Sequence, residues 1–95
     1  MVGMLSGWEV SAGALEREFE FDSYMRGIEF VQRIAEAAER LNHHPDIFIT
    51  LGAVRVTLSA CEAQSVTDDD RDMAAKISVI YSAVMAAASR PVAEF

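Results

Sequence analysis

The chain has 95 residues, a length that predicts one domain, spanning residues 1–95, with a small hydrophobic core. Hydrophobic residues make up 52% of the sequence, which excludes a disordered chain because burying them can offset the entropy lost on folding. Fifteen acidic residues against eight basic ones give a net charge of −7. This charge repels phosphate backbones and anionic lipid surfaces, so we expect neither nucleic acid nor a membrane as a partner.

The single cysteine, Cys61, cannot form a disulfide within the chain, so the fold needs no oxidising compartment. The opening residues, MVGMLSGWEV, carry no basic leader and reach a charged residue at Glu9, which argues against a secretory signal. No apolar run approaches the roughly 20 residues of a membrane-spanning helix. We therefore expect a soluble, cytoplasmic protein.

The first third of the chain predicts two strands. Residues 8–10 can form a short strand, and a turn is predicted at residues 11–13. Residues 15–21 then alternate between two faces, which is typical of a strand with one solvated side. One face carries Leu15, Arg17, Phe19 and Phe21, and the other carries Glu16, Glu18 and Glu20.

A long amphipathic helix is predicted next. Asp22 or Ser23 supplies its N-cap, and Pro45 disfavours the helical conformation at His44, so the helix is expected to end near His43 and His44. Its predicted buried stripe follows helical spacing and consists of Met25, Ile28, Val31, Ile34, Ala35, Ala38 and Leu41.

The second half predicts a β-hairpin and another helix. Strands at residues 46–51 and 54–60 are joined at Gly52-Ala53, and Thr67 to Asp70 form a capping box that starts a helix ended by Pro91. Its apolar stripe is Met73, Ala74, Ile77, Ile80, Tyr81, Val84 and Ala88. The predicted fold class is α+β, a four-stranded antiparallel sheet with two long helices packed on one face.

These motifs resemble the pterin-4a-carbinolamine dehydratase family over most of the chain. A His-His-Pro triplet alone is a weak signal, but its spacing from an acidic residue and from the later strand is specific. The matching segments are Gly7-Trp8, Leu15 with Arg17-x-Phe19-x-Phe21, Phe30, Ala38-Glu39-Arg40-Leu41-Asn42-His43-His44-Pro45, Val54-x-Val56-x-Leu58 and Thr67-x-x-Asp70.

The resemblance implies a dehydratase that removes water from a 4a-hydroxytetrahydropterin without a metal or organic cofactor. Imidazoles suit such proton transfers near neutral pH, and His43 and His44 match two of the family's three histidines. The third falls on Cys61. The implied substrate-binding positions are Glu39, Pro45, Asp46, Asp70 and Leu51, where Leu51 replaces an aromatic residue. The family's glycine-rich turn falls on residues 64–66, which contain no glycine.

Because the histidine set is incomplete, the sequence favours a non-catalytic, protein-binding assembly factor over an enzyme. Within the family, the resemblance points to the dehydratase-like proteins that assist assembly of Rubisco and are encoded with α-carboxysomes, which would make this chain carboxysome-associated. The alternative is an active dehydratase in tetrahydrobiopterin recycling. In either case the resemblance implies a homo-oligomer, with a dimer expected from an exposed edge strand.

Each candidate residue also has a simpler interpretation. His43 and His44 suit a helix C-terminus, where cationic groups are favoured. Cys61 can be a small strand-end residue, or it can join the two histidines as a zinc ligand, although a fourth ligand is lacking. The acidic residues 68–70 fit helix capping better than a calcium loop. The glutamates of the first long strand form a solvated face, and Arg55 is expected to pair with one of them.

Overall fold

The computed structural model describes residues 7–59 and 66–88 of the chain. Within them the chain forms four strands and two helices in the predicted order, which confirms the α+β fold class. The elements are β1 (Glu9–Ser11), β2 (Ala14–Glu20), α1 (Tyr24–Leu41), β3 (Asp46–Ile49), β4 (Ala53–Leu58) and α2 (Asp68–Ala88).

The strands form one antiparallel sheet in the order β1-β2-β4-β3. The two central strands pair with Leu15 opposite Leu58 and Phe19 opposite Val54. Because directly opposed residues share a face, these side chains all point to the helix-covered side, where they are buried. At the two ends of this strand order, β1 and β3 are the edge strands of the sheet.

Aromatic rings from the sheet and both helices form the centre of the core. Phe19 lies 4.8 Å from Phe30 and 4.9 Å from Tyr81, measured between ring centroids. Arg17 is the polar member of the same face, and its guanidinium carbon lies 4.4 Å from the Phe19 ring centroid, a cation–π distance. The hydroxyl of Ser78 accepts hydrogen bonds from Arg17 at 3.2 Å and from the Trp8 indole at 3.0 Å, which ties β2 and the segment before β1 to α2.

The opposite face of the sheet is open and acidic, as the alternation of β2 predicted. Arg55 lies 3.9 Å from a carboxylate oxygen of Glu18 and 4.0 Å from one of Glu16. These pairs confirm the expected cross-strand contact. All three side chains are more than 40% exposed, so solvent screens the attraction and the pairs contribute little stability.

Several predicted strand boundaries were wrong by one or two residues. The strand β1 was predicted at residues 8–10 and lies one residue later, while β2 was predicted at residues 15–21 and lies one residue earlier. The strand β3 ends at Ile49 rather than residue 51 because the amide of Thr50 donates to the Ala53 carbonyl at 2.8 Å and closes a turn. The strand β4 begins at Ala53 and ends at Leu58, and the predicted strand end at Ala60 lies outside the described residues.

The helix α1 begins as predicted but buries a different face. Ser23 is its N-cap, and the Ser23 hydroxyl accepts a hydrogen bond from the Arg26 amide at 3.3 Å. The predicted stripe was right at Ile34 and Ala38 but wrong at both ends, since Met25 is 70% exposed and Leu41 is 45% exposed. It was also wrong in its middle, where Ala35 is exposed. The helix instead packs closely against the sheet at Gly27, where an added Cβ would lie 3.4 Å from Cγ2 of Val54. The buried residues are Gly27, Phe30, Ile34, Ala37 and Ala38.

The helix α2 buries every predicted stripe residue whose side chain is described, and the burial of Ala88 stays a prediction. Met73, Ala74, Ile77 and Val84 are fully buried, and Ile80 and Tyr81 are partly buried against the same core. The predicted end at Pro91 lies outside the described residues. In the part of the chain that the structure describes, neither helix is long and apolar enough to cross a membrane.

We expect Gly7→Ala to destabilise the fold by about 1–2 kcal/mol, because Gly7 has φ of +90°, where side-chain-bearing residues are strained. Its new Cβ would also lie 2.9 Å from the Arg17 guanidinium. Urea denaturation measures the change. Gly52→Ala is the matched control, since Gly52 has no positive φ and a Cβ there meets only the Phe21 carbonyl, at 4.0 Å. An equal loss in both variants would contradict this account.

Candidate functional site

A tight turn at the end of α1 places the first histidine. Asn42 has φ of 53° and ψ of 44°, a left-handed conformation that asparagine tolerates better than most residues. The amide of His43 donates to the Ala38 carbonyl at 3.1 Å, which closes a Schellman-type cap. The predicted helix end near His43 and His44 is therefore confirmed to within two residues, but this cap produces it rather than Pro45. The helix ends at Leu41, and the left-handed cap turns His43 away from the helix axis.

The start of α2 supplies a buried carboxylate. Asp70 accepts a hydrogen bond from the Thr67 amide at 3.0 Å through Oδ2, and its own amide donates to the Thr67 hydroxyl at 3.1 Å. This reciprocal pair is the predicted capping box. Asp70 is 0% exposed and is the one buried charged residue in the described part of the chain. Its side chain therefore has a fixed position.

The two helix ends meet through His43 and Asp70. His43 Nε2 lies 3.0 Å from Asp70 Oδ1, an ion-pair distance, and the imidazole is 21% exposed. Oδ1 makes no well-aligned hydrogen bond to any described residue. A buried carboxylate oxygen without a well-aligned donor destabilises the fold. A hydrogen bond to Oδ1 from the imidazole N–H or from a bound ligand would therefore be stabilising.

The second histidine has a carboxylate partner of its own. His44 Nε2 lies 2.7 Å from Glu39 Oε2, one turn before the end of α1. Both side chains are exposed, at 54% for His44 and 79% for Glu39, so this pair orients the ring without isolating it from water. Each of the two adjacent imidazoles thus has its Nε2 against a carboxylate and its Nδ1 directed elsewhere.

The histidines and Asp70 line one open pocket of about 620 Å³. Its walls come from three places: the turn after α1, the end of β4 at Ser59, and the first turns of α2. An imidazole pair beside a buried carboxylate can accept and donate protons, which is the chemistry of acid–base catalysis. Among the described residues no group of three or more histidines, cysteines or carboxylates is arranged to hold a metal ion.

None of the other predicted site residues that the structure describes lines this pocket. Glu39 reaches the site through His44, while Pro45 and Asp46 lie where β3 begins, outside the pocket wall. Leu51 lies in the turn at the far end of β3 and is 79% exposed. Cys61 lies outside the described residues, so its catalytic role and the zinc hypothesis stay predictions.

Sequence reasoning missed several pocket residues on α2. Their spacing could have predicted them, because residues three or four positions apart lie on the same face of a helix that begins at the capping box. Asp69, Asp72, Met73 and Lys76 follow that spacing and line the pocket. Lys76 adds a cation opposite the histidine turn. Ser59 had no such signal, since its place depends on where β4 ends.

We expect Asn42→Val to lower the free energy of unfolding by about 1–2 kcal/mol, because a β-branched residue is strained in the left-handed region. Asn42→Gly is the matched control and should preserve stability, since glycine is the commonest residue at this cap position. Chemical denaturation of both variants measures the difference. The cap assignment fails if valine is tolerated as well as glycine.

We expect Asp70→Asn to change the tautomer balance of His43, because the amide removes the carboxylate that faces Nε2. Nitrogen-15 NMR of the imidazole reads this directly. Thr67→Ala is the control, since it removes a helix cap worth about 1 kcal/mol while leaving the Asp70 carboxylate beside His43. Unchanged imidazole shifts in Asp70→Asn would contradict the contact.

Comparison with known proteins identifies the family of the chain. A family model described as pterin 4 alpha carbinolamine dehydratase matches residues 2–80 of the chain. A Gloeobacter violaceus protein named "Putative pterin-4-alpha-carbinolamine dehydratase 2" is 43% identical over 77 residues, covering 77% of this chain and 84% of its own. A similarly named protein from Mycolicibacterium smegmatis is 44% identical over 78 residues, covering 82% and 83%.

Two solved structures share the fold. A transcriptional coactivator/pterin dehydratase from Brucella melitensis superposes with a TM-score of 0.75 at 33% identity, covering 80% of this chain and 83% of its own. A pterin dehydratase-like protein, described as a RuBisCO assembly factor in the alpha-carboxysome, superposes with a TM-score of 0.70 at 23% identity and covers 82% and 93%. At that lower identity the likeness concerns the fold alone.

Proposed function

This chain belongs to the pterin 4 alpha carbinolamine dehydratase family, and from that premise we propose that its pocket binds a 4a-hydroxytetrahydropterin and removes water from it. The observation that carries the proposal is the contact of His43 with the buried Asp70 carboxylate at 3.0 Å. A capping aspartate alone has no need of an imidazole partner. A histidine oriented by a buried carboxylate is the arrangement that proton transfer requires.

The reaction needs two proton transfers on one substrate. One group protonates the 4a-hydroxyl as its C–O bond breaks, so that it leaves as water, and another accepts a proton from a ring nitrogen. The base gains one proton and the acid loses one, so the net charge of the site is unchanged, and a proton must pass from the base to the acid through solvent before the next turnover. His43 and His44 are adjacent, and each has its Nε2 against a carboxylate, which leaves Nδ1 as an acceptor in a neutral ring.

We assign the buried pair and the exposed pair to different roles. His43 is held by a carboxylate that solvent does not reach, so His43 is the better-oriented base for the ring proton. His44 is exposed beside Glu39, and in its protonated form, with a second proton on Nδ1, it serves as the acid for a hydroxyl that departs into solvent. Cys61 takes the position of the family's third histidine, and we expect it to lower the rate rather than to supply a proton.

A second candidate is a non-catalytic assembly factor, with Rubisco as the client and the carboxysome as its location. Three departures in the sequence favour it: the cysteine at position 61, the aliphatic Leu51 where the family has an aromatic residue, and residues 64–66, which lack the glycines of the family's turn. Its structural support is the shared fold with the RuBisCO assembly factor, at 23% identity. The dehydratase ranks first because relatives at 43–44% identity are named for that activity.

The turnover of a 4a-hydroxytetrahydropterin tests the proposal. We expect measurable dehydration by the native chain, a roughly 10²–10⁴-fold loss in His43→Ala, and a gain in Cys61→His. Glu36→Gln, at an exposed position on α1, is the control and should match the native rate. Failure of the native chain to exceed the uncatalysed rate would remove the dehydratase in favour of the assembly factor, whose client binding should survive His43→Ala.

A further inference from the structure

A second groove continues from the histidine pocket along the line between the two helices. It has a volume of about 510 Å³ and shares Asp72 and Lys76 with the wall of the first pocket. The end of α1 meets the start of α2 through His43 and Asp70, and both helices lead away from that contact along the groove. A ligand held at the histidines can therefore extend a substituent into the second groove.

The walls of this groove are mostly apolar. Ala75, Val79 and Ile80 line it from α2, and Ala37 lines it from α1. Val79 is 68% exposed, so its aliphatic side chain lies largely in water. A bound apolar group would remove that surface from water, which is favourable. The groove therefore suits an apolar occupant.

Two basic side chains line the same groove, Arg40 from α1 and Lys76 from α2. In the described part of the chain neither forms an ion pair with a carboxylate, whereas Arg26, Arg55 and Arg71 each lie within 4.0 Å of one. Arg40 lies in the last turn of its helix, where the helix dipole favours a cation, but Lys76 lies in a helix interior and has no such role. The two cations are therefore available to an anionic group.

The position of this charge limits the ligand. The carboxylate of Asp72 lies one turn before Lys76 on the border of the two cavities, so it repels an anion placed there. Arg40 and Val79 line the second groove but not the first, which places the anion on their side. Lys76 follows Asp70 by six residues, or about 9 Å along the helix axis. A one-carbon substituent on a ring bound at the histidines cannot span that distance.

We propose that the second groove binds a long substituent of the pterin, with an apolar segment against Val79 and a terminal carboxylate held by Arg40 and Lys76. This inference rests on the proposed function, in which the C4a atom of the substrate lies at His43 and His44. The substituent of a pterin is attached at C6, two bonds from C4a, so it leaves the ring close to the histidines. The favoured substrate class is then a pterin with an aryl carboxylate substituent, rather than one with a short neutral substituent.

Equilibrium binding of reduced pterins tests this proposal without requiring turnover. The probes are 6-methyl-dihydropterin, dihydropteroate, in which an aminobenzoate is attached to the same methylene carbon, and the neutral carboxamide of dihydropteroate. We expect dihydropteroate to bind the native chain roughly tenfold more tightly than its carboxamide, since two partly exposed ion contacts give a gain of about this size. The carboxamide should in turn bind more tightly than the methyl compound, because its aryl ring covers the apolar wall.

Variants of the groove locate the carboxylate. Arg40→Gln should lose most of the preference for dihydropteroate over its carboxamide, and Arg40→Lys should keep it. Val79→Glu places a carboxylate in the groove and should reverse the preference. Arg33→Gln is the matched control, because it removes an arginine of α1 that pairs with Glu29 and does not line the groove. It should bind all three probes as the native chain does.

The outcomes separate this proposal from the dehydratase proposal. If the native chain binds 6-methyl-dihydropterin but does not prefer dihydropteroate to its carboxamide, the second groove is not an anion site and the dehydratase proposal stands. If the chain binds none of the three pterins, both proposals fail. A preference that Arg40→Gln and Val79→Glu retain in full would place the carboxylate elsewhere and also overturn this inference.

Discussion

Each carboxylate oxygen of Asp70 contacts a different residue, and the site depends on both contacts. Oδ2 accepts from the Thr67 amide and fixes the first turn of α2, while Oδ1 faces His43 at 3.0 Å. The carboxylate is fully buried, so it cannot turn to water to satisfy either oxygen. Helix capping and imidazole orientation are thereby coupled, and a change at Asp70 disturbs the end of one helix and the start of the other.

This coupling bears on the choice between an enzyme and a protein that only binds others. A scaffold that had lost its chemistry would still use Asp70 to cap α2, but it would have no need of an imidazole beside the other carboxylate oxygen. The chain keeps the carboxylate and the adjacent imidazole pair. The substitutions at positions 51 and 61 leave the His43–Asp70 pair itself unchanged, which fits an enzyme altered in rate while its proposed proton-transfer pair is preserved.

Features set by neighbouring residues were predictable from the sequence. The Ser23 cap, the Thr67–Asp70 box and the alternation of β2 each depend on a few adjacent side chains. The buried face of α1 was predicted only in part, at Ile34 and Ala38, because the choice between neighbouring apolar residues depends on how closely Gly27 approaches β4. The resemblance placed His43 and Asp70 in one site, but the contact between them depends on the left-handed cap at Asn42. The distance of Leu51 from that site depends on where the β3–β4 turn closes.

The most direct measurement is a crystal structure of the chain with a bound dihydropterin, the product-like form of the substrate. The account predicts the pterin ring against His43 and His44, with the His43 imidazole still on the Asp70 carboxylate. A ring bound elsewhere on the molecule, or a His43 side chain turned away from Asp70 in the complex, would contradict the central role assigned to that buried carboxylate.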